Sequence, residues 1–344
     1  LPLFEEILSE IHKNTGMNFK NYRHSTLIRR MEKRMFITKQ NDLESYLKYL
    51  KRDDREVATL KDEFLINVTH FFRDLPAFNV LKTSIIPQIL AKKGPKDQIR
   101  IWIAACSTGQ EAISIAILFS EYFETHNLQN TLKIFASDVD EKVVATASEG
   151  IYKSSDLADM PINLVQKYFE PIDKEKSRYS LIKALRERIV YAVHDALYDP
   201  PFINLDLISC RNMMIYLNVT NQQILLNNFQ FALHFEGYLF LGPSESLGTF
   251  KKEFLPISAK WNLFQSINRE KSLQVNFSSK DPSRNVKKDN EWDNSLKTVN
   301  KGNSIGNPLN QDKLLTKILI EQFAPTCILI NEKLDVLLTN GDVD

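Results

Sequence analysis

The residues with most chemical promise stand where apolar runs end. Ile99, Ile101, Ile103 and Ala104 belong to a run that reads as a buried strand. It closes in Ala105-Cys106-Ser107-Thr108-Gly109-Gln110-Glu111, after which Ala112, Ile113, Ile115, Ala116, Leu118 and Phe119 recur at helical spacing. In an open α/β sheet, the turn after the first strand is where a nucleotide-like ligand sits, although an ordinary strand-to-helix turn looks the same. The turn has one glycine and no following lysine, so neither G-x-G-x-x-G nor a phosphate-cradling loop is present. A second strand over 132–137 runs into Asp138-Val139-Asp140. A carboxylate there accepts hydrogen bonds from ribose hydroxyls, and Asp140 can cap the helix over 141–148, leaving Asp138 for the ligand. An acidic end to the second strand without a phosphate loop points to an adenosine-bearing cofactor such as S-adenosyl-L-methionine.

A second polar set precedes this region. Asn67, Thr69 and Arg73 lie within the apolar and aromatic stretch Phe64-Leu65-Ile66-Asn67-Val68-Thr69-His70-Phe71-Phe72-Arg73. An arginine after two phenylalanines is a costly choice for packing alone, whereas Asn67 and Thr69 are also compatible with helix capping. Downstream strands over 189–193 and 205–209 end in His194-Asp195-Ala196 and Cys210-Arg211-Asn212, the latter leading to Tyr216. Asp199-Pro200-Pro201-Phe202 mimics the tetrad of methyltransferases that act on the exocyclic amines of bases. Here it precedes a strand instead of following it, so it reads as a turn. His194 reads as structural.

These groups need a parallel sheet to bring them together. A helix over 220–235 stopping at Gly237, a strand over 238–241 and a last strand over 261–264 complete the α/β rhythm. Between 150 and 188 the rhythm breaks into turns at Met160-Pro161 and Glu170-Pro171 and short strands at 168–169 and 178–182, a partly antiparallel insertion. Residues 1–66 read as helices. One of them carries Leu27, Ile28, Met31 and Met35 on one side and Arg29, Arg30, Lys33 and Arg34 on the rest, which is either a solvated face or a dock for an acidic partner. Residues 269–311 are rich in Lys, Asn, Ser and Asp and read as a disordered linker. From Leu314 a helix and a hairpin over 327–338 begin what looks like a further domain, cut short, so the chain reads as a piece of a longer protein.

Composition narrows the class. The 344 residues are 43% hydrophobic and 25% charged, with net charge +1. That fits a globular protein and lacks the basic excess of a nucleic-acid binder. The three cysteines are far apart, which argues for a reducing compartment and against a disulfide framework or metal site. No apolar run is long enough to span a membrane.

The motifs Asn67-Val68-Thr69-His70-Phe71-Phe72-Arg73, Ala105-Cys106-Ser107-Thr108-Gly109-Gln110-Glu111, Ala136-Ser137-Asp138-Val139-Asp140, Cys210-Arg211-Asn212-Met213-Met214-Ile215-Tyr216 and Gly242-Pro243-Ser244-Glu245-Ser246 resemble those of the CheR-type methyltransferases that modify glutamates of chemotaxis receptors. The resemblance covers residues 3–268. It implies an all-helical N-terminal domain over 1–75, then a Rossmann-like class I methyltransferase domain over 76–268, with a small antiparallel β-subdomain inserted at 150–188. Residues 312–344 resemble the start of a PAS domain. By the same resemblance, Asn67, Thr69, Arg73, Glu111, Asp138, Asp195, Ala196, Arg211 and Asn212 contact S-adenosyl-L-methionine and its product S-adenosyl-L-homocysteine. Arg73 and Tyr216 orient the substrate carboxylate, and Arg29, Arg30, Lys33 and Arg34 meet a glutamate-rich helical receptor. Gln110 and Ala112 stand where the family often has Glu and Pro, and Asp195 where Asn is common. The loop Glu170-Pro171-Ile172-Asp173-Lys174-Glu175-Lys176-Ser177 lacks the glycine of relatives that tether to a receptor's C-terminal peptide, which implies a tether-independent enzyme. The resemblance places the protein in the cytoplasm, with methyl-accepting receptors as partners and no nucleic acid or membrane insertion. A binding-only sensor built on the same cofactor site is the alternative.

Overall fold

The computed structural model describes residues 2–267, 327–330 and 336–340. The expected linker, and the helix expected from Leu314, lie outside the described residues.

Four helices open the chain: α1 (Pro2–Thr15), α2 (His24–Ile37), α3 (Leu43–Leu50) and α4 (Asp54–Phe64). Their stripes meet in one core, with Phe4, Ile7, Leu8 and Ile11 against Leu27, Met31, Tyr46, Leu50, Val57, Leu60 and Phe64. Spacing of three and four residues keeps each set on one face. Asp42 accepts from the Ser45 amide at 2.8 Å and Asp53 from Arg55 at 3.0 Å, satisfying the open first turns of α3 and α4. α5 (Leu75–Val80) runs through a π-turn at Leu81–Ile85 into α6 (Ile86–Ala91). Pro87 cannot donate to the ladder, a common cause of such a widened turn.

The α/β unit follows with β1 (Gln98–Ala104), α7 (Gln110–Thr125), β2 (Thr131–Asp138) and α8 (Glu141–Glu149). The insertion comprises β3 (Ile151–Lys153), α9 (Ile162–Tyr168), β4 (Phe169–Pro171), β5 (Arg178–Leu181) and α10 (Lys183–Arg186), its strands forming an antiparallel sheet in the order β3-β5-β4. Glu170-Pro171, read as a turn, belongs to β4. That strand is an edge, where proline's missing N–H costs no ladder bond. The main chain resumes with β6 (Ile189–Val193), β7 (Leu205–Cys210), α11 (Val219–Ala232), β8 (Leu233–Leu241), β9 (Phe254–Ser258) and β10 (Leu263–Ser266).

The main sheet has the order β6-β2-β1-β7-β8-β10-β9, parallel from β6 to β8 and antiparallel at β10. Alternate residues of β1 feed separate cores. Ile99, Ile101 and Ile103 pack with α5, α6 and α7 on one face, while Trp102 and Ala104 pack with α11 on the other. β7 is buried along its whole length, as a strand covered on both faces must be.

Gly237 does not stop a helix. α11 ends at Ala232, and Gly237 lies inside β8 beside a register shift opposite Leu205 and Leu207. A Cβ on Gly237 would meet the Leu205 carbonyl oxygen at 2.9 Å. The glycine marks close strand approach at an irregular ladder, a signal that looks like a helix stop in sequence. β9 was not foreseen, and β10 begins two residues beyond the expected Trp261. Separately, β11 (Cys327–Ile330) and β12 (Val336–Asn340) pair antiparallel.

Candidate functional site

The β1–α7 turn is built from residues held in uncommon backbone conformations. Ala105, Ser107 and Gly109 have φ of 60°, 50° and 92°. Only the last is a glycine, so the first two must be held by surrounding contacts. The Cys106 amide donates to the Ser137 carbonyl at 2.9 Å, and the Ser107 amide to Asp138 Oδ2 at 2.9 Å. A Cβ at Gly109 would stand 2.9 Å from the Tyr191 hydroxyl and 3.0 Å from that of Tyr152. Glycine is therefore required here for both torsion and space.

Asp138 ends β2, 7% exposed, and its Oδ1 also accepts from the Asp140 amide at 3.1 Å. Burial pushes its carboxyl up, an effect those two amides only partly offset. Asp140 turns away to cap α8 through the Lys142 amide and accepts from Asn67 Nδ2 at 3.0 Å. Capping thus falls to Asp140, and Asp138 faces the cavity.

At the end of β6, Asp195 Oδ1 accepts from the Leu197 amide at 2.9 Å, and Asn228 Nδ2 donates to the carbonyl of buried Ala196 at 3.0 Å. His194 Nε2 stands 3.0 Å from the Pro200 carbonyl, and its ring lies within 5.5 Å of both Trp102 and Phe202. In Asp199-Pro200-Pro201-Phe202, Phe202 packs the flank of the sheet through these rings and Phe135, while Asp199 accepts from the Asp195 amide at 2.8 Å and lines the cavity.

The end of β7 supplies the centre of the site. Arg211, its side chain 1% exposed, donates to Glu111 Oε2 at 3.1 Å, Asp74 Oδ2 at 2.7 Å and the Arg73 carbonyl at 2.9 Å, between the rings of Phe78 and Phe240. Glu111 Oε1 accepts from Ser209 Oγ at 2.6 Å. Arg211 therefore reaches the cavity wall with both terminal nitrogens engaged by Glu111, Asp74 and the Arg73 carbonyl and with its buried Nε without a hydrogen-bond partner among the described residues. Phe72 and Asp74, with φ of 51° and 63°, flank Arg73 in left-handed conformations. The clamp on the Arg73 carbonyl and Asp74 holds that strained backbone in place. Arg73 Nη1 donates to the Val68 carbonyl at 3.0 Å, and Arg73 lines the cavity.

Sequence reasoning assigned no role to Glu245. Buried at 6% exposure, it accepts from the amides of Met213 at 2.9 Å, Met214 at 2.7 Å and Gly242 at 2.5 Å, and so pins the loop after Asn212, itself left-handed at φ 61°. Burial pushes the Glu245 carboxyl up despite these amides. Its signal was the acidic residue in an otherwise small-residue motif.

All these strand ends open on one cavity of about 520 Å³, within the range of small-molecule sites. Its wall includes Asn67, Thr69, Arg73, Glu111, Asp138, Asp195, Ala196, Arg211, Asn212 and Tyr216. The helical domain completes it with residues including Met17, Asn21 and Tyr22, which the sequence had not suggested. Arg29, Arg30, Lys33 and Arg34 are not in this wall. Arg34 donates to Glu56 through Nε at 3.0 Å and Nη2 at 2.6 Å, Arg30 to the Glu63 carbonyl at 2.6 Å, and Lys33 to Glu63 at 3.0 Å. Arg29 is exposed.

The donor set suits S-adenosylmethionine. Glu111, Asp138 and Asp195 face the cavity with Arg73 as the cation not already committed to a carboxylate. That excess of negative charge complements a ligand bearing a sulfonium, an ammonium and a ribose diol. Among the described residues, no group of three or more His, Cys, Asp or Glu could hold a metal ion, and no helix is long and apolar enough to cross a membrane.

Comparison with known proteins agrees. An uncharacterized 104.1 kDa protein of Rhodobacter capsulatus is 38% identical over 251 residues, 73% of this chain and 26% of that protein. A chemotaxis protein methyltransferase of Borreliella burgdorferi is 28% identical over 248 residues, 70% of this chain and 87% of that one. Chemotaxis protein methyltransferase 2 of Vibrio cholerae is 26% identical over 248 residues, 71% and 85% of the two chains. The chain thus spans about a quarter of the first relative and most of the other two. The family described as "CheR methyltransferase, all-alpha domain" matches residues 2–65, and "CheR methyltransferase, SAM binding domain" matches residues 67–263. With both parts present and the strand ends gathered on one acidic cavity, the chain belongs to the CheR methyltransferase family.

Proposed function

We propose that the protein transfers a methyl group from S-adenosyl-L-methionine to glutamate side chains of chemotaxis receptors, forming methyl esters. The observation that carries this reading is the convergence of Glu111, Asp138, Asp195 and Arg73 on one cavity at the carboxyl ends of the strands. When bound, the cofactor supplies an electrophilic methyl group.

The side chains then divide the remaining work. Asp138 takes the ribose hydroxyls through lone pairs left by the Ser107 and Asp140 amides. Glu111, oriented by Arg211 and Ser209, receives the ligand's ammonium. Asn67, Thr69, Asp195, Ala196 and Asn212 complete the cofactor wall. A glutamate side chain has a pKa near ~4.3, so at neutral pH it is already the nucleophile and needs no general base. The wall does hold His194 and Cys106, but His194 Nε2 is engaged with the Pro200 carbonyl and burial pushes the Cys106 thiol up, so neither is needed for the transfer. Positioning becomes the main contribution. Arg73 suits it because its planar fork matches a carboxylate, and Tyr216 adds a hydroxyl. The substrate meets the exposed part of α2, and the Asp173-closed turn of the β-subdomain, where Ser177 donates its amide and hydroxyl to Asp173 at 2.6 and 2.7 Å, is not used as a peptide tether. The protein acts in the cytoplasm, and the hairpin over 327–340 belongs to a PAS domain. The relatives' names and the intact Arg73 and Tyr216 favour an enzyme over a binding-only sensor.

The test is incubation with methyl-labelled cofactor and receptor-containing membranes from the source organism. The reading predicts labelled protein that releases its label in mild base, and loss of that label with Arg73→Ala. Base-stable labelling, or no labelling by a chain that binds the cofactor, would count against it.

A further inference from the structure

The connection between α1 and α2 lines the cavity through Met17, Asn18, Asn21 and Tyr22 and is fastened on both sides. On one side, Tyr22 forms an antiparallel bridge with Leu217, the Arg23 amide donates to the Tyr216 carbonyl at 2.7 Å, and the Asn218 amide donates to the Asn21 carbonyl at 3.0 Å. On the other, the Tyr198 hydroxyl donates to Asn21 Oδ1 at 2.8 Å. The strap thus spans from the loop after β7 to the loop after β6. Phe19, fully buried in the helical core, packs behind Tyr22 with ring centroids 5.2 Å apart. Tyr22 lines the cavity, and its hydroxyl makes no hydrogen bond to a described residue.

Asn21, the neighbour of Tyr22, is tied to Tyr198 after β6, and Tyr22 shares the cavity wall with Asp195 and Asp138. Burial raises the Tyr22 hydroxyl well above its ordinary range, and the charges adding to that are Asp195 and then Asp138. These are the ends of β6 and β2, the side on which an acidic strand end takes ribose. Glu111 and Arg211 lie on the β7 side.

We infer that Tyr22 is a cofactor-binding residue lent by the helical domain, closing the adenosine end of the cavity with its ring and hydroxyl. This rests on the proposed S-adenosylmethionine site. It has a consequence for the rest of the molecule. Tyr22 is two residues from the start of α2, the helix proposed to meet the receptor. Cofactor contact with Tyr22 therefore stabilises the strap that sets α2 in place, and any effect of cofactor on receptor affinity must be matched by an equal effect of receptor on cofactor affinity.

The test is calorimetric titration of the full chain, wild type and Tyr22→Phe, with S-adenosylhomocysteine and with 5′-methylthioadenosine, which lacks the amino-acid half. Tyr22→Phe keeps the ring and the packing on Phe19, so the melting temperature of the cofactor-free protein should not change. Loss of one hydrogen bond should weaken both ligands by the same factor, roughly three- to tenfold. Hydrogen exchange should show residues 17–23 protected by saturating S-adenosylhomocysteine. Wild-type affinity of Tyr22→Phe for both ligands, a loss confined to S-adenosylhomocysteine, or exchange at 17–23 indifferent to ligand would each overturn the inference. Failure of the wild-type protein to bind either ligand would instead overturn the cofactor site itself, and the inference with it.

Discussion

Arg211 and Glu111 meet at 3.1 Å in the wall of the cavity, the arginine side chain 1% and the glutamate 14% exposed. The same guanidinium holds Asp74 at 2.7 Å and the Arg73 carbonyl at 2.9 Å. One buried fork thus positions two residues proposed to touch different ligands, Glu111 the cofactor and Arg73 the substrate. Arg211→Met keeps much of the volume between Phe78 and Phe240 but leaves Glu111, Asp74 and the Arg73 carbonyl without their donor. Breaking a buried pair from one side typically costs about 3–5 kcal/mol. The variant should lose stability on that order in denaturant titration, and its folded fraction should bind cofactor more weakly. Unchanged stability would mean the clamp is not what holds Arg73 in its strained backbone.

Asp138→Asn should weaken binding of both S-adenosylmethionine and S-adenosylhomocysteine. A lost hydrogen bond to a charged acceptor is worth about 1.5–3 kcal/mol, or tenfold and more in affinity. The asparagine retains an oxygen for one of the Ser107 and Asp140 amides, so the turn is disturbed less than by alanine. Calorimetry that finds wild-type affinity would remove Asp138 from the binding set.

The basic helix separates into two kinds of residue. Arg34 forms a fork on Glu56, a buried carboxylate that also accepts from the Tyr46 hydroxyl at 2.8 Å. Arg34→Ala should therefore destabilise the helical domain, measurable as a fall in melting temperature. Arg29 and Lys33 are exposed, the latter paired only at the surface with Glu63. Reversing both to Glu should raise the apparent KM for receptor several-fold, more at low salt than at high, and leave cofactor affinity unchanged. Receptor methylation insensitive to the double reversal would place the docking surface elsewhere.

A pH effect follows from the opposite end of the central strands, where β7 begins. Asp206, 2% exposed at its side chain, is held by His234 Nε2 at 2.5 Å, Lys93 Nζ at 2.8 Å and the Arg100 amide at 2.9 Å. Burial pushes this carboxyl up, but those partners outweigh it and hold it below its usual 3.8. A lowered folded-state pKa gives stability that is present above the unfolded value and lost as pH falls through the folded one. The stability gap between wild type and Asp206→Asn should thus be full at neutral pH and shrink only below about pH 4. A gap that grows in acid would contradict this arrangement.

Much of this site was legible because it depends on local pattern. The apolar run before Ala105, the aspartates after 132–137 and the small residues around Gly109 each announce a strand end, and a parallel sheet must gather such ends on one side. Tyr22 was not legible. Nothing local distinguishes it from a core aromatic, and its place in the cavity depends on contacts with residues 198 and 216–218. Arg30 and Arg34 misled in the other direction, since a charge-rich helix face says nothing about the glutamates of another helix that will meet it. Gly237 failed because close strand approach and helix termination both call for a residue without a side chain.

The proposed destination of the methyl group is a receptor glutamate. The most direct measurement is tandem mass spectrometry of a receptor cytoplasmic fragment incubated with the protein and isotopically methyl-labelled S-adenosylmethionine. The label is expected on glutamate side chains, removed by mild base and absent with Arg73→Ala. Label found on lysine, arginine or another base-stable position, with none on glutamate, would contradict it.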